Sequence, residues 1–224
     1  MSVKASQHRR DGGFTLIEIM VVIAIIASLI GAGSLMLNIA TKKRLVTTTQ
    51  GRLNALGAAL EQIHNTDQLG RYPPTQLSKL QYQGFDGVKF TAGGNDTNVG
   101  IETLYVVFRL PGINVMPAGL DADDCTANTD GDKATQVIGK LAKPDLFEYI
   151  DAWGRPLVYF ASADYKDPSK VELYVLGEGD EKIKIHPKTN EKTGEYIRPD
   201  SFQLFSLGPD GKPDTDDDII YGSM

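Results

Sequence analysis

The amino-terminal part of the chain is a long run of apolar residues. Between Phe14 and Ala40 the only charged residue is Glu18. A helix over this range spans roughly 40 Å at a rise of about 1.5 Å per residue, which exceeds the hydrocarbon thickness of a bilayer. The pattern therefore predicts a membrane-spanning helix over residues 14–40.

The helical period continues beyond the apolar run. Apolar residues recur there at spacings that form one stripe, at Leu45, Leu53, Leu56, Leu60 and Ile63. Such a stripe is typical of a helix half buried against a folded surface. Because Pro73 and Pro74 follow Gly70, the helix should end before them. We expect one helix from Phe14 to about Asp67.

The carboxyl-terminal half carries strand signals. Segments rich in aromatic and branched residues are LVYFA at 157–161, VELYVLG at 171–177 and FQLFSLG at 202–208. They predict a small antiparallel sheet and an α+β fold, with the charged loop at about 178–199 as a solvated excursion. The run GIETLYVVFRLPG, 100–112, is compatible with either a helix or a buried strand.

Composition narrows the function classes. The 224 residues carry a formal net charge of −6, and no basic patch indicates a nucleic-acid partner. Cys125 is the single cysteine, so an internal disulfide is excluded. The chain has no GxSxG, HExxH or phosphate-binding glycine loop, and its three histidines are scattered. These features argue against an enzyme; a membrane-anchored hydrolase built on aspartates is the alternative.

The segments that flank the apolar run are basic. Lys4, Arg9 and Arg10 precede it, and TKKR at 41–44 follows, so the positive-inside rule orients the helix only weakly. A removable secretory signal peptide is the rival interpretation. The length of the run, the lack of a small-x-small cleavage site after it and the acid within it argue against that rival.

The stretch GGFTLIEIMVVIAII, 12–26, resembles the amino-terminal signature of type IV pilins and of the pseudopilins of type II secretion. The resemblance implies that a prepilin peptidase cuts between Gly13 and Phe14 and that Phe14 is then N-methylated. It also implies a single-pass inner-membrane protein with residues 1–13 as a cytoplasmic leader. Residues 14–40 are the assembly helix, and 41–224 are a periplasmic domain.

Glu18 is the acid that this family requires within the membrane helix. An ionised carboxylate in lipid costs on the order of 3 kcal/mol, so it persists where a cation lies at similar depth. The amine that cleavage creates at Phe14 is such a cation. We expect Glu18 of one subunit to meet that amine on its neighbour. The alternatives are pairing with its own amine, four residues away, and snorkelling to the headgroups.

Further stretches resemble the major pseudopilin of type II secretion. They are GRYPPTQLSKL at 70–80, DAWGRPLVY at 151–159 and SLGPDGKPDTDDDII at 206–220. Residues 84–150 lie between the matching blocks as an apparent insertion. The family usually has proline where this chain has Leu35.

The stretch at 206–220 is crowded with aspartates. A hard cation such as calcium would relieve the repulsion between their carboxylates. The resemblance assigns Asp210, Asp216 and Asp218 as side-chain ligands and Leu207 as a carbonyl ligand, with Asp214 and Asp217 ranked lower. A solvated acidic tail is the alternative. For the acidic loop at 121–132, an exposed loop is favoured over a second cation site.

The sequence therefore predicts a structural, non-enzymatic subunit of the type IV pilin-like family, closest to the major pseudopilin. It would polymerise with other pseudopilins in contact with membrane lipid, on an inner-membrane secretion assembly platform, and it would bind structural calcium. The alternative in the same class is a subunit of a surface type IV pilus.

Overall fold

The computed structural model describes residues 15–66, 69–80, 96–120, 122–134, 144–167, 173–176 and 181–222. The chain divides into two compact units, residues 1–43 and 44–224. The helices are α1 (Leu16–Asn65) and α2 (Val99–Val107), with 3-10 helices at Leu77–Lys79 and Ser162–Asp164. The strands are β1 (Thr126–Ala127), β2 (Glu148–Tyr149), β3 (Val158–Ala161), β4 (Leu173–Leu176), β5 (Lys182–Ile185), β6 (Phe202–Ser206) and β7 (Ile219–Ile220).

Helix α1 has 50 residues, a length of roughly 75 Å. In the unit that begins at Arg44, its apolar stripe enters the core, because Leu53, Leu56, Leu60 and Ile63 are fully buried while Leu45 is half-buried. These side chains join one cluster with those of α2, β3 and β6. The α+β fold is confirmed, with the long apolar helix packed on small antiparallel sheets.

The strands form three sheets. The central sheet has the order β3-β6-β7 and is antiparallel, with Val158 opposite Phe205 and Phe205 opposite Ile220. Strand β1 pairs with β2. The prediction of a single sheet is wrong in one respect, because β4 pairs with β5, whose sequence KIKI alternates as a half-exposed strand does.

The segment after α1 is held on strand β3 by buried hydrogen bonds. The Tyr159 hydroxyl donates to the Pro73 carbonyl at 2.6 Å, and the Ala161 amide donates to Thr75 Oγ1 at 2.9 Å. The Thr75 amide in turn donates to Asp164 Oδ2 at 2.9 Å. Hydrogen bonds that involve side chains, rather than backbone pairing between strands, therefore hold the loop at 70–80 against the central sheet.

The described part of the segment at 178–199 is solvated over 189–195, as its charge predicts, but it is not solvated throughout. It contains β5, and Lys188 within it is buried. The side-chain amide of Gln203 on β6 accepts from the Lys188 amide at 2.6 Å and donates to the carbonyls of Lys188 and Ile197. Backbone groups of this loop therefore find their partners on a buried side chain of the central sheet.

The run at 100–112, which the sequence leaves undecided, forms a helix. All nine residues of α2 are buried. Helix α2 contacts β2, β3 and β4. An apolar helix surrounded on all sides lacks the one-sided stripe by which a half-buried helix is recognised, which explains why its period was ambiguous.

Helix α1 approaches the carboxyl terminus closely at Gly57. A Cβ atom on Gly57 would lie well within van der Waals contact distance of the Tyr221 ring carbons and clash with them. That ring is stacked on Phe202, with 5.5 Å between centroids, and the Arg198 guanidinium lies 5.0 Å from its centroid. Because two partners hold the ring, it cannot move aside freely.

Gly57→Ala should therefore destabilise the protein by about 1–3 kcal/mol, the usual effect of overpacking a filled site. Gly51 is the matched control on the same helix, since nothing lies within 4 Å of its added Cβ. Gly51→Ala should stabilise by up to about 1 kcal/mol through helix propensity. Urea unfolding of the full chain in detergent measures both. Equal effects of the two substitutions would contradict the close contact.

Candidate functional site

The amino terminus of α1 is closed by a reciprocal cap. Thr15 donates from its amide and its hydroxyl to Glu18 Oε2, both at 2.8 Å, and the Glu18 amide donates to Thr15 Oγ1 at 3.3 Å. This is the arrangement of a capping box, in which an acid at the third helical position satisfies donors at the helix start. Gly13 and Phe14 lie outside the described residues, so the pairing of Glu18 with the Phe14 amine stays a prediction.

The first part of α1 presents apolar side chains on every side. Leu16 is 79% exposed, Leu29 67% and Ile39 68%. Within the described part of the chain, α1 is the one helix whose length and apolar character suffice to cross a membrane. Burying each such side chain is worth about 1.5–3 kcal/mol, so this surface requires lipid or neighbouring helices around it.

The carboxyl-terminal loop is organised around a lysine. The Lys188 ammonium lies 3.0 Å from Asp214 Oδ1 and 2.5 Å from Asp218 Oδ2. The side chains of Lys188 and Asp218 are only 8% and 4% exposed, whereas that of Asp214 is 75% exposed. Burial raises the pKa of Asp218, and the Lys188 ammonium opposes this rise. A buried ion pair therefore joins this loop to the segment after β5.

The remaining predicted ligands lie at the surface of the same loop. Asp210 and Asp216 are exposed, while Leu207 is buried at the end of β6. Asp217 accepts from the Asp210 amide at 3.1 Å and from the Thr215 hydroxyl, and these hydrogen bonds lower its pKa. The aspartates here are used largely as turn-forming acceptors.

The structure places a lysine among the predicted calcium ligands of this loop. The Lys188 ammonium contacts both Asp214 and Asp218 and supplies a positive charge to them. The opposing observation is that Asp218 Oδ1 is buried without a hydrogen-bond partner. In the parts of the chain that the structure describes, the acidic side chains that lie close enough together to share an ion are found elsewhere. They are Glu102, Asp130 and Glu148, each with a carboxylate oxygen within 4.8 Å of the other two. Calcium binding by the loop stays a prediction.

The DAWGRP turn connects this loop to helix α1. Asp151 Oδ1 accepts from the amides of Trp153 and Arg155, at 2.8 and 3.0 Å, and its Oδ2 accepts from Ser206 Oγ at 2.7 Å. Arg155 Nη1 donates to the Gly208 carbonyl at 2.8 Å, and Arg52 of α1 donates to the Asp151 carbonyl at 2.9 Å. The Asp151 carboxylate thus fixes the turn on β6, and two arginines join helix α1 and the terminal loop to the same turn.

Comparison with known proteins identifies the amino terminus. The family model described as the prokaryotic N-terminal methylation motif matches residues 8–34. The chain has a prepilin-type amino terminus. No curated protein and no solved structure matches it.

The prepilin-type motif supports a type IV pilin-like protein, of a pilus or of a pseudopilus. It implies processing by a prepilin peptidase and assembly into a filament. The proteins that carry it are structural rather than enzymatic. Together with the exposed apolar surface of α1, the motif supports anchoring in a membrane.

Sequence reasoning missed a group of buried carboxylates. Glu102 on α2 and Glu148 on β2 are fully buried, and Asp132 is 4% exposed. Burial and the neighbouring Asp132, Asp130 and Glu148 raise the pKa of Glu102 well above its usual value. Burial raises the pKa of Asp132 and of Glu148 to about 7. The prediction of an exposed acidic loop at 121–132 is correct for Asp123 and Asp124 but wrong for Asp132; Asp121 lies outside the described residues.

Removing the Lys188 ammonium should strongly destabilise the terminal loop. Lys188→Met leaves the Asp218 carboxylate buried without its counter-charge, which should cost about 3–5 kcal/mol. Lys188→Met combined with Asp218→Asn should recover part of this loss, because the uncompensated charge is gone.

Lys212→Met is the matched control, since Lys212 is exposed on the same loop. It should change stability by less than about 0.5 kcal/mol. Thermal unfolding of the full chain in detergent compares the four proteins. If Lys188→Met behaves like Lys212→Met, the buried ion pair does not close the loop.

Proposed function

We propose that the chain is a structural subunit of a periplasmic type II secretion pseudopilus, which polymerises through α1 to drive protein export. The observation that carries the proposal is the prepilin-type motif at 8–34 joined to a long helix whose described apolar side chains are exposed over 16–30. A helix of this kind is covered first by lipid and, in a filament, by the same helix of neighbouring subunits. The partners of the protein in this proposal are the prepilin peptidase and an inner-membrane assembly platform.

Glu18 specifies the contact between subunits in this proposal. In the uncut chain its carboxylate accepts from Thr15. Cleavage before Phe14 adds a positive amine close to the same end of α1. In a bundle of parallel helices, the carboxylate of one subunit pairs with the amine of the next and sets the axial register. Because each subunit supplies one acid and one amine, the contact repeats along the filament.

Three features support a pseudopilus rather than a surface pilus. The first is the GRYPPTQLSKL segment, which is hydrogen-bonded to β3. The second is the DAWGRP turn, which is held by the Asp151 carboxylate. Both stretches resemble the major pseudopilin, and both are tied into the core of this fold. The third feature concerns the carboxyl-terminal loop, which many surface pilins close with a disulfide. Here Cys125 is the single cysteine, and Lys188 ties the loop instead.

Glu18→Gln should separate the cap from the charge. Glutamine at this position preserves the capping acceptor but removes the ionic contact between subunits. Since a hydrogen bond to a charged group is worth about 1.5–3 kcal/mol, we expect at least about a tenfold loss of filaments. The variant should still be inserted and cleaved. Immunoblots of membranes and of sheared filaments measure processing and assembly.

Thr15→Ala is the matched control, because it removes the capping hydroxyl and leaves the carboxylate. It should cost about 1 kcal/mol of helix stability, and filaments should still form. Normal assembly of Glu18→Gln would contradict the charge pairing. Loss of filaments in Thr15→Ala, with normal assembly of Glu18→Gln, would assign the role of Glu18 to the cap.

Deletion of the gene distinguishes a pseudopilus of type II secretion from a surface type IV pilus. We expect loss of exported protein from the culture medium while surface pili remain, because a pseudopilus acts within the periplasm. A plasmid copy of the gene should restore export, and the copy with Glu18→Gln should not. Loss of surface pili with normal export would show that the chain belongs to a type IV pilus instead.

A further inference from the structure

Four acidic side chains meet between helix α2 and the β1–β2 pair. Glu102 comes from the first turn of α2, Asp130 and Asp132 from the turn after β1, and Glu148 from β2. One carboxylate oxygen from each of Glu102, Asp130 and Glu148 lies within 4.8 Å of the others. Asp132 adjoins Glu102 closely enough that the two carboxyl groups interact directly. Three separate parts of the apparent insertion thus converge on one point.

Two of these carboxylates, Glu102 and Asp132, have no protein donor on either oxygen. Glu102 is fully buried, and neither of its carboxylate oxygens has a hydrogen-bond partner. The same holds for both carboxylate oxygens of Asp132. A buried ionised carboxylate with no compensating partner is among the most unfavourable arrangements in a protein. The arrangement therefore requires a positive species at the centre, either protons or a metal ion.

Glu148 differs from Glu102 in being oriented by donors. Its Oε1 accepts from Asn98 Nδ2 at 2.9 Å and from Thr129 Oγ1 at 3.1 Å, and its Oε2 accepts from the Thr129 amide at 3.0 Å. Asn98 adopts a left-handed backbone conformation, with φ of 59°, at the residue before α2. Its side chain makes no cap to the helix and is directed to Glu148 and Thr129 instead. Such supporting hydrogen bonds are typical of carboxylates that ligate metals.

No lysine or arginine in the described ranges forms a salt bridge with Glu102, Asp132 or Glu148. Lys133, the neighbour of Asp132, pairs with Asp145 at 3.2 Å and is 56% exposed at its side chain. Arg109, which follows α2 in the chain, donates to the Tyr105 carbonyl and the Tyr149 hydroxyl. The terminal loop has a buried ammonium at Lys188, whereas no described lysine or arginine plays that part for Glu102, Asp132 or Glu148.

We propose that Glu102, Asp130, Asp132 and Glu148 bind a calcium ion that ties helix α2 to the β1–β2 pair. The set is made of oxygen ligands alone, which suits a hard cation. Zinc is disfavoured because no histidine or cysteine belongs to the set. Calcium is favoured over magnesium because it accepts several carboxylates in irregular geometry, whereas magnesium keeps most of its water.

The competing arrangement is a proton shared between Glu102 and Asp132. Ionised carboxylates only accept hydrogen bonds, so a bond between these two requires that one of them be protonated. That arrangement compensates the charge without any ion, and calcium then leaves stability unchanged.

Calcium titration of the full chain in detergent, after removal of metal with EGTA, tests the site. Calorimetry should show saturable binding. At a calcium concentration roughly 100 times Kd, Tm should rise by about 5–10 °C. Glu102→Gln, which keeps the volume and removes a charge, should abolish the rise. Its Tm in EGTA should equal or exceed that of the wild type, because a neutral amide replaces a buried charge.

The matched control is Asp210→Asn with Asp216→Asn, which removes two exposed aspartates of the terminal loop. This protein should keep the full calcium response. A wild-type Tm that calcium leaves unchanged, without saturable binding, would overturn the proposal in favour of a shared proton. A response that persists in Glu102→Gln and disappears in the control would overturn it in favour of the terminal loop. If Glu102→Gln does not unfold cooperatively in EGTA, Asp132→Asn takes its place with the same expected outcomes.

The calcium response is independent of polymerisation. A chain that binds calcium through Glu102 but forms no filament would support the metal site and contradict the proposed function. A chain that forms filaments but does not bind calcium would support the proposed function and contradict the metal site.

Discussion

The burial of the apolar stripe of α1 is the interaction on which the folded unit depends. Leu53, Leu56, Leu60 and Ile63 enter the same core as the aromatic residues of β3 and β6. Removing any one of these large side chains leaves a cavity with a typical cost of about 2–5 kcal/mol. Polar ties at the margins, such as Arg52 to the Asp151 carbonyl and Glu61 to Arg198 at 2.8 Å, fix the rotation of the helix on that core.

Buried charge is handled in two different ways within this unit. In the terminal loop a lysine supplies the counter-charge, so the loop is closed by the chain itself. Around Glu102 the described residues supply acceptors and orienting donors but no ammonium or guanidinium. The first arrangement supplies its counter-charge from within the chain, whereas the second would make the position of α2 depend on the ionic surroundings. The unit that begins at Arg44 would thus combine an ion pair of its own with a charge cluster that depends on a bound cation or proton.

The sequence predicted well those features that depend on local period. Helix α1 and strands β3 and β6 follow from apolar spacing that one segment carries by itself. The features it missed join distant segments. Lys188 lies 26 and 30 residues before its partners Asp214 and Asp218, and Glu102 lies far from Glu148, so no local pattern shows that they meet. The KIKI alternation of β5 was a usable strand signal, which the high charge of its surroundings obscured.

The cap between Thr15 and Glu18 bears on the order of events in the life of this chain. Because the amide and the hydroxyl of Thr15 both donate to the carboxylate, the acid can enter the bilayer already hydrogen-bonded, at a lower cost than a bare ion. Insertion then does not have to wait for a second subunit. Single subunits can therefore accumulate in the membrane as a store from which a filament is later assembled.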